Sequence, residues 1–99
     1  MFAQNSIIEN IVDRSIHETL LSFNFDISTD EIKSNNVRLF GKEGLFDSIG
    51  LVSLILSIEE KLRDELKQDI LLANEKALSQ KNSPFKDYQS LTMYVATMV

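Results

Sequence analysis

Ile8, Ile11, Val12, Ile16 and Leu20 recur three or four residues apart, the spacing that collects side chains on one face of an α-helix. Ser6 with Glu9 three residues later has the form of a capping box, in which the two side chains satisfy each other's backbone N–H groups. The pattern predicts a first helix from about Asn5 to Phe23. From Asn24 to Phe46 the periodicity is lost, and Asp26, Ser28, Asp30, Asn35, Asn36, Gly41 and Gly44 are scattered through the stretch. This predicts a long loop with room for one short turn. Loops of that length are usually functional or mobile.

Helical spacing returns with Leu51, Leu54, Ile55, Ile58 and Leu62, and Asp47 with Ser48 supplies residue types that start helices. The second helix is expected to end near Lys67. Asn74 and Glu75 could open a short third helix through Leu78, and Ser79 to Pro84 reads as a linker because polar residues precede the only proline. Leu91, Tyr94, Val95 and Met98 then repeat at helical spacing behind a cap at Ser90 or slightly earlier. No internal repeat is visible.

Composition agrees with helices. The 99 residues are enough for one small domain and too few for two. An all-β sandwich needs turn residues every 8 to 12 positions or so, whereas this chain offers only Gly41, Gly44, Gly50 and Pro84. Fifteen acidic against ten basic residues give a net charge of -5, which repels polyanions and argues against nucleic acid as a partner. There is no cysteine, so no disulfide, thiolate metal site or thiol nucleophile is available from the chain itself. Residues 1–10 lack the basic flank and apolar stretch of a signal peptide, and no apolar run approaches the length of a membrane span. The expectation is a cytoplasmic monomer.

Signals for enzymatic chemistry are weak. His17 is the single histidine and has no partner in the sequence pattern, so it reads as a solvent-facing helical residue. Asp26, Ser28 and Asp30 loosely resemble a calcium loop, but Glu31 stands where glycine should turn the chain and Val37 where a glutamate should close it. Gly41 and Gly44 are not followed by the lysine and serine of a phosphate loop. The protein is not expected to be an enzyme.

The second helix is the informative element. Projected at 100° per residue, its apolar side chains from Ile49 to Leu62 span an arc of about 200°, twice what one packed face needs. Leu54, Ile55, Ile58 and Leu62 form one stripe, and Ile49, Val52 and Leu56 lie together on its flank. Either this is the most buried helix of a bundle, or the flank meets a partner. Ser48 also has two readings. Its hydroxyl suits an N-cap worth about 1 kcal/mol, and a hydroxyl at a helix N-terminus is also a favourable place to carry a phosphate ester.

The run Leu45-Phe46-Asp47-Ser48-Ile49-Gly50-Leu51-Val52-Ser53-Leu54 resembles the signature of acyl and peptidyl carrier proteins. In that family an Asp-Ser pair opens the second helix of a four-helix bundle. The resemblance covers nearly the whole chain as a single carrier domain, with a long loop between helices 1 and 2 and a closing segment, Tyr88-Gln89-Ser90-Leu91-Thr92-Met93-Tyr94-Val95, similar to the family's end.

The resemblance implies a carrier in which a phosphopantetheinyl transferase moves 4'-phosphopantetheine from coenzyme A to the serine matched by Ser48. Asp47 matches the aspartate used in that transfer. The arm would carry acyl or aminoacyl thioesters to loading and condensing enzymes, as in fatty-acid biosynthesis and related lipid, polyketide or peptide pathways. Ile49, Val52 and Leu56 match the family's apolar docking positions, and Glu59 and Glu60 match acidic positions that pair with basic patches on partners. Gly50 and Ser53 occupy positions that are often acidic in fatty-acid-synthesis carriers, and the stretch from Arg63 to Asp87, with Lys67, Lys76, Lys81 and Lys86, is longer than usual. Both departures favour a specialised pathway. The rival expectation is an unmodified helical adapter that binds a protein through the Ile49, Val52, Leu56 flank.

Overall fold

The computed structural model describes residues 2–41, 43–73 and 83–99, with side chains from Ser6 onward. All regular structure among these residues is helical: α1 spans Phe2–Ser22, α2 Thr29–Ser34, α3 Ser48–Leu66 and α4 Tyr88–Met98. No strand occurs among the described residues. No helix among them is long and apolar enough to cross a membrane.

α1 begins at Phe2, earlier than the pattern predicts. Ser6 and Glu9 are therefore exposed side chains inside a continuous helix, where the backbone N–H of Glu9 bonds to the turn before it and needs no cap. The expected capping box there does not form. The apolar stripe is as expected, with Ile8, Ile11, Val12, Ile16 and Leu20 all buried. Asn24 ends the helix at φ 59°, and the Phe25 N–H turns back to the Leu20 carbonyl at 2.9 Å, a left-handed closure that asparagine tolerates better than most residues.

The expected long loop contains a real helix and folds onto itself. α2 is opened by Ser28, whose Oγ accepts the Glu31 N–H at 3.1 Å while Glu31 Oε1 accepts the Ser28 N–H at 3.3 Å. Part of the stretch that mimicked a calcium loop is thus a capping box. Ile32 carries α2 into the core. Beyond it, Leu39, Phe40 and Phe46 are buried, the Phe46 N–H reaches the Leu39 carbonyl at 2.8 Å, and the Leu39 N–H reaches the Lys86 carbonyl at 2.6 Å. Gly44 makes the tight return possible, since a Cβ there would lie 2.6 Å from Phe40 Cα. Three large side chains of the stretch, Leu39, Phe40 and Phe46, are thus part of the core.

α1 packs on both α3 and α4, and α2 bridges α1 and α4, whereas α3 and α4 do not pack directly on one another. Between them lies the segment after α3. Lys67 ends α3 in the left-handed conformation at φ 57°, and Leu72, fully buried, is held from both sides. Its N–H donates to Glu59 Oε2 at 2.7 Å and its carbonyl accepts from the Tyr94 hydroxyl at 2.8 Å. Phe85 fills the same region, edge-on to Tyr94 at 5.6 Å. The short helix expected over 74–78 and the linker residues 79–82 lie outside the described residues. The fourth helix described here is therefore α2. The Cα radius of gyration is 12.4 Å, close to the ~13 Å of a compact chain of this length.

Candidate functional site

Phe46 approaches α3 as buried chain, packed edge-on against Phe25 at 5.3 Å. This direction of entry makes Asp47 the N-cap: its backbone is extended, and Oδ1 accepts the Gly50 N–H at 2.9 Å. Ser48 is the first helical residue. Its side chain is exposed and makes no hydrogen bond among the described residues. The cap that Ser48 was equally suited to supply is thus supplied by its neighbour, and the Ser48 hydroxyl is left facing solvent. The Ser48 and Ile49 N–H groups, in the first turn of α3, have no acceptor among the described residues, which is the usual state of the first amides of a helix.

Gly50 is buried beneath Phe46, where a Cβ would lie 3.0 Å from Phe46 Cδ1 and 3.2 Å from its Cβ. The resemblance sets Gly50 at a position that is often acidic in fatty-acid-synthesis carriers; here that position is buried rather than on the exposed flank. A longer side chain there would push Phe46 out of the corner that directs the chain into α3. Ser53 is half-buried and remains at the edge of the exposed flank.

The rotation of α3 follows the apolar pattern. Leu51, Leu54, Ile55, Ile58 and Leu62 are buried, while Ile49 is 68% exposed, Val52 48% and Leu56 59%. The acidic pair divides. Glu60 is exposed and makes no hydrogen bond or ion pair among the described residues, whereas Glu59 is half-buried with one carboxylate oxygen engaged by the Leu72 N–H. Glu59 is thus partly a structural residue, tying the segment after α3 to the helix.

Two features of α3 escape the sequence reading. On the side facing α1, Lys61 is only 8% exposed, and its Nζ donates to Glu18 Oε1 at 2.8 Å and to Ser57 Oγ at 3.0 Å. Arg14 pairs with Glu65 at 2.6 Å one turn further along the same seam. The Lys61 hydrogen bond holds the Glu18 carboxyl below its ordinary range, and Arg14 does the same for Glu65. These pairs pin one side of α3 to α1 and leave the Ile49, Val52, Leu56 side open. On that open side stands Arg63, exposed and without an ion pair among the described residues. The helical wheel could have found Arg63; the Glu18–Lys61 pairing needed the fold.

A second polar cluster joins α1, α2 and α4 away from Ser48. Lys33 Nζ meets Asp13 Oδ2 at 3.0 Å and lies 5.2 Å above the Tyr88 ring. The Tyr88 hydroxyl and Asp13 Oδ1 are buried without a hydrogen bond of good geometry. Desolvation, then the nearby Asp13 carboxylate, pushes the Tyr88 hydroxyl well above the usual tyrosine range. His17 is exposed, and no group of residues suited to hold a metal ion occurs among the described residues. Compared with protein-family models, with curated proteins and with solved structures, the chain has no match.

Proposed function

We propose that the protein is an acyl-carrier-type domain that bears 4'-phosphopantetheine on Ser48 and presents acyl or aminoacyl thioesters to partner enzymes in a specialised pathway. The observation that supports this reading most is the division of labour at the start of α3. Asp47 satisfies the helix end, so the Ser48 hydroxyl is exposed and uncommitted beside an exposed apolar flank.

The surroundings fit the group. The unpartnered Ser48 and Ile49 N–H groups and the positive end of the α3 dipole favour a phosphodiester anion on Ser48. In the transfer a phosphopantetheinyl transferase would join Ser48 Oγ to the pantetheine-side phosphorus of the coenzyme A diphosphate, with the serine proton lost to a base and the bond to the bridging oxygen broken as adenosine 3',5'-bisphosphate leaves. Asp47, with Oδ1 holding the Gly50 N–H, keeps its carboxylate next to that hydroxyl along the chain. When bound, the arm supplies a terminal thiol, which the chain lacks.

Co-expression with a broad phosphopantetheinyl transferase followed by intact-mass measurement tests the reading. A mass gain of one phosphopantetheinyl group, mapped to Ser48 and lost in Ser48→Ala, is the expected result. No gain with an active transferase, or attachment elsewhere, would favour the unmodified adapter, which needs only the exposed flank.

A further inference from the structure

Charge is unevenly divided along the chain. Residues 1–34, which contain α1 and α2, hold six acidic and two basic residues, a net side-chain charge of -4 out of the chain's -5. Both bases are already engaged, Arg14 with Glu65 and Lys33 with Asp13. Residues 35–99 hold nine acidic and eight basic residues and are close to neutral. The negative field of the molecule therefore belongs mainly to the α1–α2 side rather than to α3.

The same side has an apolar groove. Leu21 on α1, with Phe25 and Ile27 on the chain entering α2, lines a cleft of about 360 Å³ that is bordered by His17, Asp26 and Glu31. Leu21 is 64% exposed, so this apolar surface is open to solvent. A second cleft of about 320 Å³ shares His17 and is lined by Asp13, Glu18 and Asp30. Asp13 and Glu18 are paired with Lys33 and Lys61, and Glu31 is engaged with the Ser28 N–H. Asp26 and Asp30 make no hydrogen bond or ion pair among the described residues. The groove thus combines an uncovered apolar surface with one free carboxylate on each cleft, and its complement is an apolar side chain flanked by cations. A two-fold pair of this chain through the groove would set two negative faces against each other.

We infer that the α1–α2 groove is an interaction surface separate from the exposed flank of α3, and that it takes a basic segment of another protein. An apolar side chain of that segment rests on Leu21, Phe25 and Ile27, and lysine or arginine side chains lie against Asp26 and Asp30. The apolar contact supplies most of the affinity, while the acids speed the encounter and orient the segment. Nothing in this depends on Ser48, so the surface serves a phosphopantetheine carrier and an unmodified adapter alike.

The test titrates the isotope-labelled full chain, followed by nuclear magnetic resonance, with a short peptide that has a central leucine flanked by lysines. The expected result is shift changes centred on His17, Leu21 and Ile27, with an affinity at low salt that falls about fivefold or more when Asp26→Asn and Asp30→Asn are combined. Glu60→Gln combined with Asp64→Asn removes the same charge from α3 and should leave the affinity unchanged. Replacing the peptide's leucine with alanine should weaken binding at every salt concentration, whereas the effect of the acids should fade as salt is added. Equal losses from the two pairs of variants would show general attraction only and overturn the inference, as would shifts centred on α3 or binding indifferent to the leucine. In the cell that produces the protein, a photo-crosslinking residue at His17 should join a second protein at a segment of this chemistry, with the adduct lost in the Asp26, Asp30 pair and kept in the Glu60, Asp64 pair. An adduct with the chain itself, or none, would overturn it too. Neither measurement needs attachment at Ser48, so failure of the carrier reading and failure of this one are told apart.

Discussion

At the start of α3 two adjacent residues of similar capping ability have separate tasks. Asp47 holds the Gly50 N–H, and the Ser48 side chain makes no hydrogen bond among the described residues. Asp47→Ala is expected to cost about 1 kcal/mol, and Ser48→Ala less than about 0.5 kcal/mol, while only Ser48→Ala must abolish attachment; thermal melts and intact masses check both. The reverse order in the melts would make Ser48 the cap. The pair was legible in the sequence, but which member caps was not, because both are good N-cap types and the choice follows from how Phe46 delivers the chain. Tyr88 makes a second residue-scale case. Its hydroxyl is buried with no hydrogen bond of good geometry among the described residues, and burial and then the nearby Asp13 carboxylate raise its pKa. Below about pH 10 it is neutral in both states, and above that only the unfolded chain ionises freely, so stability falls as pH rises. Tyr88→Phe keeps the ring under Lys33, should be at least as stable at neutral pH, and should unfold at higher pH in an alkaline titration followed by circular dichroism.

Among the elements, α3 has two sides with different duties. Leu54→Ala or Ile58→Ala opens a cavity in a fully buried site and is expected to cost about 2 to 5 kcal/mol. Val52→Ala and Leu56→Ala should change stability by about 0.5 kcal/mol or less and weaken partner docking instead. Chemical denaturation of the four variants ranks them, and the opposite ranking would mean a rotated helix. The α1–α3 seam adds a pH dependence. Glu18 and Glu65 have folded pKa values below their unfolded ones. Their contribution is therefore present above the unfolded value, near pH 4.3 to 4.5, and is lost as pH falls through the folded values. Both carboxylates are substantially exposed, so each pair is worth only ~0 to 1 kcal/mol. Lys61→Met, which leaves no stranded ammonium, should flatten the acid limb of a stability–pH curve while changing neutral stability little.

For the whole molecule, charge acts at longer range than any single contact. The net charge of -5 favours approach to basic surfaces, yet the first eleven residues of α3, Ser48 to Ile58, carry no acid, and its acids, Glu59, Glu60, Asp64 and Glu65, lie in the second half of the helix. Ser53, half-buried one turn from Ile49, is where a charge could be added without disturbing Phe46, unlike Gly50. Ser53→Glu in the phosphopantetheinylated protein should raise the loading rate by a basic fatty-acid transacylase at low salt, with the gain shrinking as ionic strength screens it. A gain independent of salt, or an unaltered chain already loaded as fast as a fatty-acid-synthesis carrier, would contradict the specialised role.

The sequence by itself determined the helical class, the buried stripes of α1 and α3 and the burial of Leu91 and Val95 in α4, because helical period and apolar spacing are local properties that burial then obeys; that Ile49, Val52 and Leu56 are exposed, and that Met98 is exposed at the end of the α4 stripe, only the packing decided. Tertiary structure alone decided the rest. The stretch 24–46 carries its information in scattered residues, so α2 and the packed return through Leu39, Phe40 and Phe46 became visible only when distant partners such as Lys86 were in place. In the same way the tie between Glu59 and the Leu72 N–H, thirteen residues away, has no sign in the sequence. Gly50 reads as a missing charge until Phe46 lies over it. In each case the deciding contact joins residues whose spacing has no period, and such contacts leave no local trace in the chain.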